Sequence, residues 1–265
     1  MRGAGVGGTA GAPAGRAAGP PGGLERRFRC RLPDRLPDRL PDRLHGRPPL
    51  AATAVAAAGA AALATLLERV LRHAGATPDE VRTALPGDAH LPDATSVTTR
   101  AATLSGPPEA VWPWLVQIGY GRAGWYALDE LEALAGVARA TADDGTTSWR
   151  SLDHVAGRHQ ALALGDRVPL SRSAHLDVVA LDQRRHLVLA LDAGGRAWRF
   201  AWCWAFVLRP LPGGRTRLLV RTRVAARPGW LAALVHVALG PGHGLMELVQ
   251  LRNLRRRVAG WRRSG

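Results

Sequence analysis

The sequence has few of the residues that hold disulfide-rich or metal-dependent proteins together. Its 265 residues include only two cysteines, Cys30 and Cys203, which excludes a disulfide scaffold and a zinc ribbon. Cys30 lies in a basic leader and Cys203 in an aromatic strand, so we expect them not to pair and Cys203 to be a small core residue. The CxxC, HExxH, GxSxG and P-loop patterns are absent. We therefore expect no metal and no cofactor.

Lysine is also absent, although the chain is strongly basic. All 36 basic residues are arginine, and 21 acidic residues leave a formal net charge of +15. The excess lies mainly at the ends: residues 1–50 carry ten arginines and four acids, and the last fourteen residues carry six arginines and no acid. Basic tails can bind anionic lipid or nucleic acid non-specifically, but no nucleic-acid-binding module pattern is present. We expect no specific nucleic-acid partner.

Residues 1–47 are predicted to lie outside the folded domain. Residues 1–23 are almost entirely Gly, Ala, Pro, Arg and Thr, a composition that cannot build a core. An Arg-Leu-Pro-Asp motif is then repeated three times over residues 31–42. Proline at every fourth position prevents both a helix interior and a sheet ladder. The leader is predicted to be a linker, or a stretch upstream of the true start codon.

Residues 48–70 are predicted to form an alanine-rich helix. Leu50 to Leu67 is an uncharged run of eighteen residues, which is long enough to span a membrane. Ten of these residues are alanine, which contributes little to insertion. Two alternatives remain: a membrane span with the arginine-rich N-terminus inside, or a helix packed on the domain. The protein would be membrane-associated in the first case and cytoplasmic in the second.

The hydrophobic patterns over residues 96–258 predict an α+β fold. Residues 96–104 read as a first strand, followed by a helix that begins at the Pro107-Pro108 pair and by a short helix over 128–134. Period-two patterns then predict strands over 166–170, 176–181, 187–191, 196–211 and 215–225, and a long helix over 230–258 broken at 240–242. Strands grouped between helices favour a twisted antiparallel sheet wrapped around the long C-terminal helix, with a cavity between them.

Ala110 to Tyr126, with the sequence AVWPWLVQIGYGRAGWY, closely resembles the first-helix segment of actinobacterial proteins of the SRPBCC (START-like, or polyketide cyclase/dehydrase) superfamily. Residues 75–81, 85–88, 164–168, 204–210 and 214–223 also resemble segments of that subgroup, so the similarity covers about residues 73–260. It implies a helix-grip fold, in which seven antiparallel strands grip the C-terminal helix around a hydrophobic pocket. It also implies a START-like domain over 97–262, with 73–96 as the segment leading into it. Members of the subgroup often carry an N-terminal membrane helix, so the resemblance slightly favours a membrane span over Leu50 to Leu67. The superfamily includes lipid carriers, hormone receptors and cyclases, so the fold does not fix the activity.

The clearest local signal for a site is an aromatic ladder. Trp198, Phe200, Trp202, Trp204 and Phe206 alternate along one predicted strand and so share one face. They would either line a pocket for a flat apolar ligand or form the core beneath the helix.

The register of the last hairpin decides what faces this ladder. A two-residue turn pairs Trp204 with Arg223, whereas a three-residue loop over 212–214 pairs Trp204 with Thr222 and turns the arginines outward. Burying the arginines without partners would be very costly, so we favour the three-residue loop. Arg221 could still anchor a ligand carboxylate near the open end.

Residues from three other segments complete the candidate site. Trp125 and Tyr126 follow the first helix and would either gate the pocket or plug the core, and Met246 and Val249 should face inward from the C-terminal helix. Trp149 lies in the loop before the second strand. The candidate ligand-binding residues are Trp125, Tyr126, Trp149, Trp202, Trp204, Phe206, Arg221 and Met246.

Catalysis requires a base, an acid and an orienting partner within hydrogen-bond reach. No spacing ties any two of the candidates together: Asp129, Asp166, His154, His175 and His243. The predicted function is therefore binding of a hydrophobic small molecule, lipid- or polyketide-like. The alternatives are a cyclase- or dehydratase-type enzyme acting on a polyketide-like substrate in the same cavity, and a membrane-anchored interaction protein whose cavity is filled.

Overall fold

A computed structural model describes residues 50–261. The 1–47 leader, its repeat and Cys30 lie outside the described residues. The helices are α1 (Leu50–Leu71), α2 (Pro78–Arg82), α3 (Pro108–Val116), α4 (Asp129–Leu134), α5 (Gly229–Leu234) and α6 (Gly240–Trp261), and a π-helical turn (Val235–Leu239) joins the last two. The strands are β1 (Ser96–Leu104), β2 (Ala140–Thr141), β3 (Thr147–Ser148), β4 (Arg167–Pro169), β5 (His175–Asp182), β6 (His186–Gly194), β7 (Arg199–Leu211) and β8 (Arg215–Arg227).

The predicted α+β helix-grip arrangement is confirmed. Six antiparallel strands form one sheet in the order β1-β8-β7-β6-β5-β4, and α6 packs on its inner face through Leu251, Leu254 and Val258. The strand number implied by the resemblance is corrected, because this sheet has six strands rather than seven. The short strands β2 and β3 pair with each other in a separate ribbon, and Ala140 of β2 also forms a bridge with Arg122 in the loop after α3.

The register of the β7–β8 hairpin follows the favoured alternative. Trp204 lies opposite Thr222 and Leu211 lies opposite Arg215, so the loop contains three residues. Even-numbered residues of β7, such as Trp204 and Phe206, therefore face α6, while odd-numbered residues such as Cys203 face the outside of the sheet.

The segment 73–96, expected to be a connecting segment, instead covers the outer face of the sheet. Leu85 and Leu91 are buried there, against β8 and β7. Arg221 donates to the backbone oxygens of Glu80, Val81 and Thr83 and to the Asp88 carboxylate, at 2.7–3.0 Å. The outward-facing arginines thus find their partners in this segment, which is why it packs on the domain.

Helix α1 is attached to the domain by its last turn and by contacts with the C-terminal helices. The Arg100 guanidinium donates to the Leu71 carbonyl at 2.8 Å, and α1 contacts α6 and the π-helical turn. Within the described part of the chain, α1 alone is long and apolar enough to cross a membrane as a single straight helix, over Ala54–Leu71; α5 and α6 together also meet that test across a 44° bend. The bend lies at Leu239, and the break predicted at 240–242 is corrected, because these residues form the first turn of α6. Length and composition are the only basis for both assignments.

Candidate functional site

Two adjoining cavities lie between the inner face of the sheet and the C-terminal helices. The outer cavity has a volume of about 130 Å³ and is bounded by β1, β7, β8, α5 and the start of α6. The inner cavity, of about 70 Å³, lies deeper, between the loop that carries Trp125 and the middle of α6. Trp202 and His243 line both cavities, so these two side chains form the partition between them.

The aromatic ladder runs from the protein surface to the core along β7. The exposed fraction falls from 49% for Trp198 to 5% for Trp204 and 0% for Phe206. Phe200 lines the outer cavity, and Trp202 and Trp204 stack with ring centroids 5.4 Å apart beside the inner cavity. The strand therefore supplies core at one end and cavity wall at the other.

A buried ion pair joins the sheet to α6 at the cavity wall. Arg100 of β1 and Glu247 of α6 are 1% and 2% exposed, and the Arg100 guanidinium donates to Glu247 Oε2. Glu247 Oε1 accepts hydrogen bonds from Trp204 Nε1 at 2.6 Å and from Thr222 Oγ1 at 2.9 Å. Both carboxylate oxygens are thus already engaged by groups of the protein, and the charges neutralise each other.

The sequence analysis missed this pair. Glu247 is the single acid that follows Asp192 in the chain, and it lies four residues after His243 on the helix that was expected to face the cavity. The absence of other acids in this part of the sequence could have marked Glu247 as a buried carboxylate that pairs with an arginine. The indication for Arg100 was weaker and came from its inward-facing position on a predicted strand.

Four buried polar atoms around the inner cavity have no hydrogen-bond partner within residues 50–261. They are Trp125 Nε1, Trp202 Nε1, His243 Nε2 and Gln250 Oε1, and all four residues line this cavity. A buried polar group left unpaired costs about 1–3 kcal/mol, and folded proteins contain few of them. Such a cluster around one cavity is typical of a site that accepts a polar group of a ligand.

His243 is the titratable side chain at the partition. Its ring packs edge-on against Trp202 and Trp204, with centroids 5.3 and 5.6 Å apart. Burial lowers the pKa of His243, and Arg100 lowers it further, while Glu247 opposes the shift. The imidazole is therefore neutral at pH 7.

The loop after α3 sends its two aromatic side chains to different places. Gly124 has φ +80°, and a Cβ there would lie 2.5 Å from Ser151 Oγ, so the close approach requires glycine. Tyr126 has φ +58°, an unusual conformation for a non-glycine residue. Trp125 packs on Trp204 with centroids 5.7 Å apart and lines the inner cavity. The Tyr126 hydroxyl instead accepts from Gln117 Nε2 at 2.7 Å, buried in the core, and burial raises the pKa of Tyr126.

The structure does not bring all the predicted site residues together. Trp125, Trp202, Trp204 and Met246 line the inner cavity, whereas Tyr126 and Phe206 are core residues. Trp149 is 45% exposed and pairs with the Arg150 guanidinium 4.7 Å from its ring. Arg221 lies on the outer face with its donors engaged by the 73–96 segment and Thr99, so the prediction that it could anchor a ligand is corrected.

Of the five catalytic candidates, His243 alone lines a cavity. Asp129 is the first residue of α4, and its carboxylate accepts from Ser151 Oγ at 2.7 Å. The Asp166 carboxylate accepts from the backbone N–H of Ala163. His154 and His175 lie beside Asp153 and Asp177 at solvent-accessible positions. Over residues 50–261, no three His, Cys, Asp or Glu side chains are grouped to hold a metal ion.

The structure of this chain is similar to those of several solved proteins. A protein from Mesorhizobium loti is 17% identical, with a TM-score of 0.35, over 62% of this chain and 97% of its own. A conserved protein from Geobacillus kaustophilus is 14% identical, with a TM-score of 0.37, over 62% and 96%. A START superfamily protein from Mycobacterium smegmatis is 12% identical, with a TM-score of 0.26, over 62% and 98%. No family model matches the chain, and no curated protein matches it. The assignment of a START-like helix-grip fold rests on the strand order and the position of α6.

Proposed function

We propose that this protein binds a hydrophobic small molecule in the space formed by the two cavities. The observation that carries the proposal is the set of four unpartnered polar atoms around a cavity whose other walls are aromatic and aliphatic, apart from Glu247, whose carboxylate oxygens are already hydrogen-bonded. Ligand pockets commonly combine apolar walls with a few polar groups that fix the orientation of the ligand. The resemblance of residues 110–126 supports placing the chain with the actinobacterial START-like subgroup, whose superfamily includes such binders.

The polar groups define the chemistry of the ligand. The indole N–H groups of Trp125 and Trp202 donate, Gln250 Oε1 accepts, and neutral His243 offers Nε2 as a donor or an acceptor according to its tautomer. The Arg100–Glu247 pair leaves no free charge to neutralise a ligand charge, and burying an unpaired charge is very costly. We therefore expect a flat apolar molecule with an uncharged carbonyl or hydroxyl group, as in a polyketide-like or lipid-like compound.

The partition must move to admit such a molecule. Pockets for drug-sized ligands have volumes of about 300–1,000 Å³, and the two cavities of about 130 and 70 Å³ are each smaller. Rotation of Trp202 and His243 would join them into one elongated space of about 200 Å³, which suits a ligand smaller than a drug-sized molecule. Binding is then expected to perturb the fluorescence of Trp202.

A matched pair of substitutions in α5 tests the cavity. Ala232 lines the outer cavity, whereas its neighbour Ala233 is exposed and does not. Ala232→Trp should fill the cavity and weaken the binding of an apolar fluorescent probe about tenfold, equivalent to about 1.4 kcal/mol, whereas Ala233→Trp should leave binding unchanged. The measurement is a fluorescence titration of the full chain, with thermal unfolding of each variant as the check on folding. Equal probe affinity in the two variants would contradict the proposal.

The enzymatic alternative rests on His243 alone. A neutral imidazole beside a cavity can act as a general base, which keeps a cyclase- or dehydratase-type reaction as the second candidate. A general base normally needs an orienting partner, and both oxygens of nearby Glu247 are already engaged by Arg100, Trp204 and Thr222. Binding is therefore favoured over catalysis. The third candidate, an interaction protein with a filled cavity, does not account for the four unpartnered polar atoms.

A further inference from the structure

An exposed apolar surface surrounds the entrance of the outer cavity. Trp198, which directly precedes β7, is 49% exposed, and Trp230 and Leu234 of α5 are 67% and 55% exposed. Trp198, Trp230 and Leu231 line one surface groove. Leu234 follows Trp230 by four residues and so lies on the same helix face. We call these four residues, Trp198, Trp230, Leu231 and Leu234, the mouth patch. Large exposed apolar side chains grouped in this way mark an interaction surface.

We propose that the mouth patch docks on the surface of an anionic lipid bilayer, so that the outer cavity opens toward lipid. The groove and the outer cavity share Phe200 and Val235 in their walls. A molecule that leaves the bilayer at the patch would therefore meet the cavity directly. Docking itself does not depend on the proposed function, whereas this entry route does.

The position of α1 favours a bilayer as the occupant. Residues 54–60, two turns made of alanine, valine and glycine, are all exposed, and Leu63, Leu66 and Val70 are more than half exposed. A helix with so much exposed apolar surface is typical of a membrane segment. Its last turn is fixed to the domain by Arg100, and the helix contacts the π-helical turn that follows α5. Helix α1 therefore lies next to the π-helical turn, which directly follows the α5 helix that carries most of the mouth patch.

One exposed arginine beside the patch favours anionic lipid. Arg196, two residues before Trp198, is exposed, whereas Arg199 and Arg227 on the neighbouring strands pair with Asp93 and Asp192. Anionic headgroups attract exposed basic side chains, and tryptophan is enriched at the membrane interface. Together with the exposed helix α1, these features favour the bilayer over a second copy of the chain.

Site-specific fluorescence tests the docking on the full chain. The two native cysteines must not react with the dye, so Cys30 is replaced by serine, and Cys203 is buried. A cysteine introduced by Trp230→Cys or Leu234→Cys can then be labelled with an environment-sensitive dye. Leu164→Cys is the control, because Leu164 is 67% exposed and precedes the edge strand β4. Each labelled chain is reconstituted in phosphatidylcholine vesicles with or without phosphatidylglycerol, and nitroxide-labelled lipid is the quencher.

We expect the dye at positions 230 and 234 to shift its emission to the blue and to lose most of its intensity with nitroxide lipid. Both effects should weaken without phosphatidylglycerol, and the dye at position 164 should respond to neither lipid. Equal responses at all three positions would overturn the proposal. A blue shift without nitroxide quenching would also overturn it, since it would indicate contact with protein. Apolar-probe binding by the same labelled chains reports separately on the ligand-binding function.

Discussion

Replacing Glu247 with leucine is expected to lower the free energy of unfolding by about 3–5 kcal/mol, the usual effect of removing one partner from a buried ion pair. The substitution leaves the guanidinium of Arg100, which is 1% exposed, in the interior without its counter-charge. It also removes the acceptor of the Trp204 indole and of the Thr222 hydroxyl. Urea denaturation of the full chain, followed by circular dichroism, measures the effect.

The double variant Arg100→Met/Glu247→Leu is the matched control. Replacing both members of a buried ion pair by apolar residues is often close to neutral, so the double variant should recover the part of the loss that comes from the isolated Arg100 charge. The Trp204 indole and the Thr222 hydroxyl stay without their acceptor in both variants, so the difference between the variants reports on the charge and not on these two groups. A single variant within about 1 kcal/mol of the wild type, the range of an exposed ion pair, would contradict the assignment of the pair as buried.

Replacing Glu132 with glutamine is expected to stabilise the protein at pH 8 by about 3 kcal/mol and to change little at pH 4. Glu132 is 1% exposed, and among the described residues no side chain donates a hydrogen bond to its carboxylate. Burial, and secondarily the negative charge of Asp129, raises the pKa of Glu132 from 4.5 to about 7. A difference of this size corresponds to about 3 kcal/mol.

The sign follows from the protons bound in each state. Between pH 4.5 and about 7 the unfolded chain has lost the Glu132 proton while the folded chain retains it, so the free energy of unfolding falls as the pH rises through this window. Below it the carboxyl is protonated in both states, and the amide of Glu132→Gln gives no advantage. Above it the fold holds a buried charge that the amide removes.

Denaturant unfolding at pH 4, 6 and 8 tests this pH dependence. Glu130→Gln is the control, because Glu130 is exposed on the same helix, and its stability should follow that of the wild type at each pH. A gain in Glu132→Gln that is equal at pH 4 and pH 8 would mean that the substitution acts through packing and not through removal of a buried charge.

Alternation and charge predicted most of the sheet. The first strand was predicted over residues 96–104, which are the bounds of β1, because threonine, valine and alanine alternate there between two clear boundaries. The hairpin register followed from the cost of burying arginine. The three-residue loop turns Arg221 outward, where its charge has partners.

The contacts that the sequence did not predict join residues far apart in the chain. Arg100 and Glu247 are separated by 147 positions, and nothing local to either residue shows that they meet. The packing of the 73–96 segment on the outer face of the sheet also depends on distant residues. Arg217 binds Glu80 and Arg221 binds Asp88. The inner-cavity cluster also needed the structure, since Trp125 and Gln250 meet only when the loop after α3 lies against α6.

Native mass spectrometry of the full chain, released from detergent, tests the central claim of a ligand-binding cavity most directly. We expect the wild type and Ala233→Trp to carry a co-purifying small molecule of the same mass, and Ala232→Trp to carry none. The mass would also identify the ligand, which should contain an uncharged oxygen function on an apolar skeleton. A wild-type chain that carries no added mass and binds none of several apolar probes would contradict the ligand-binding proposal, and the aromatic ladder would then be core alone.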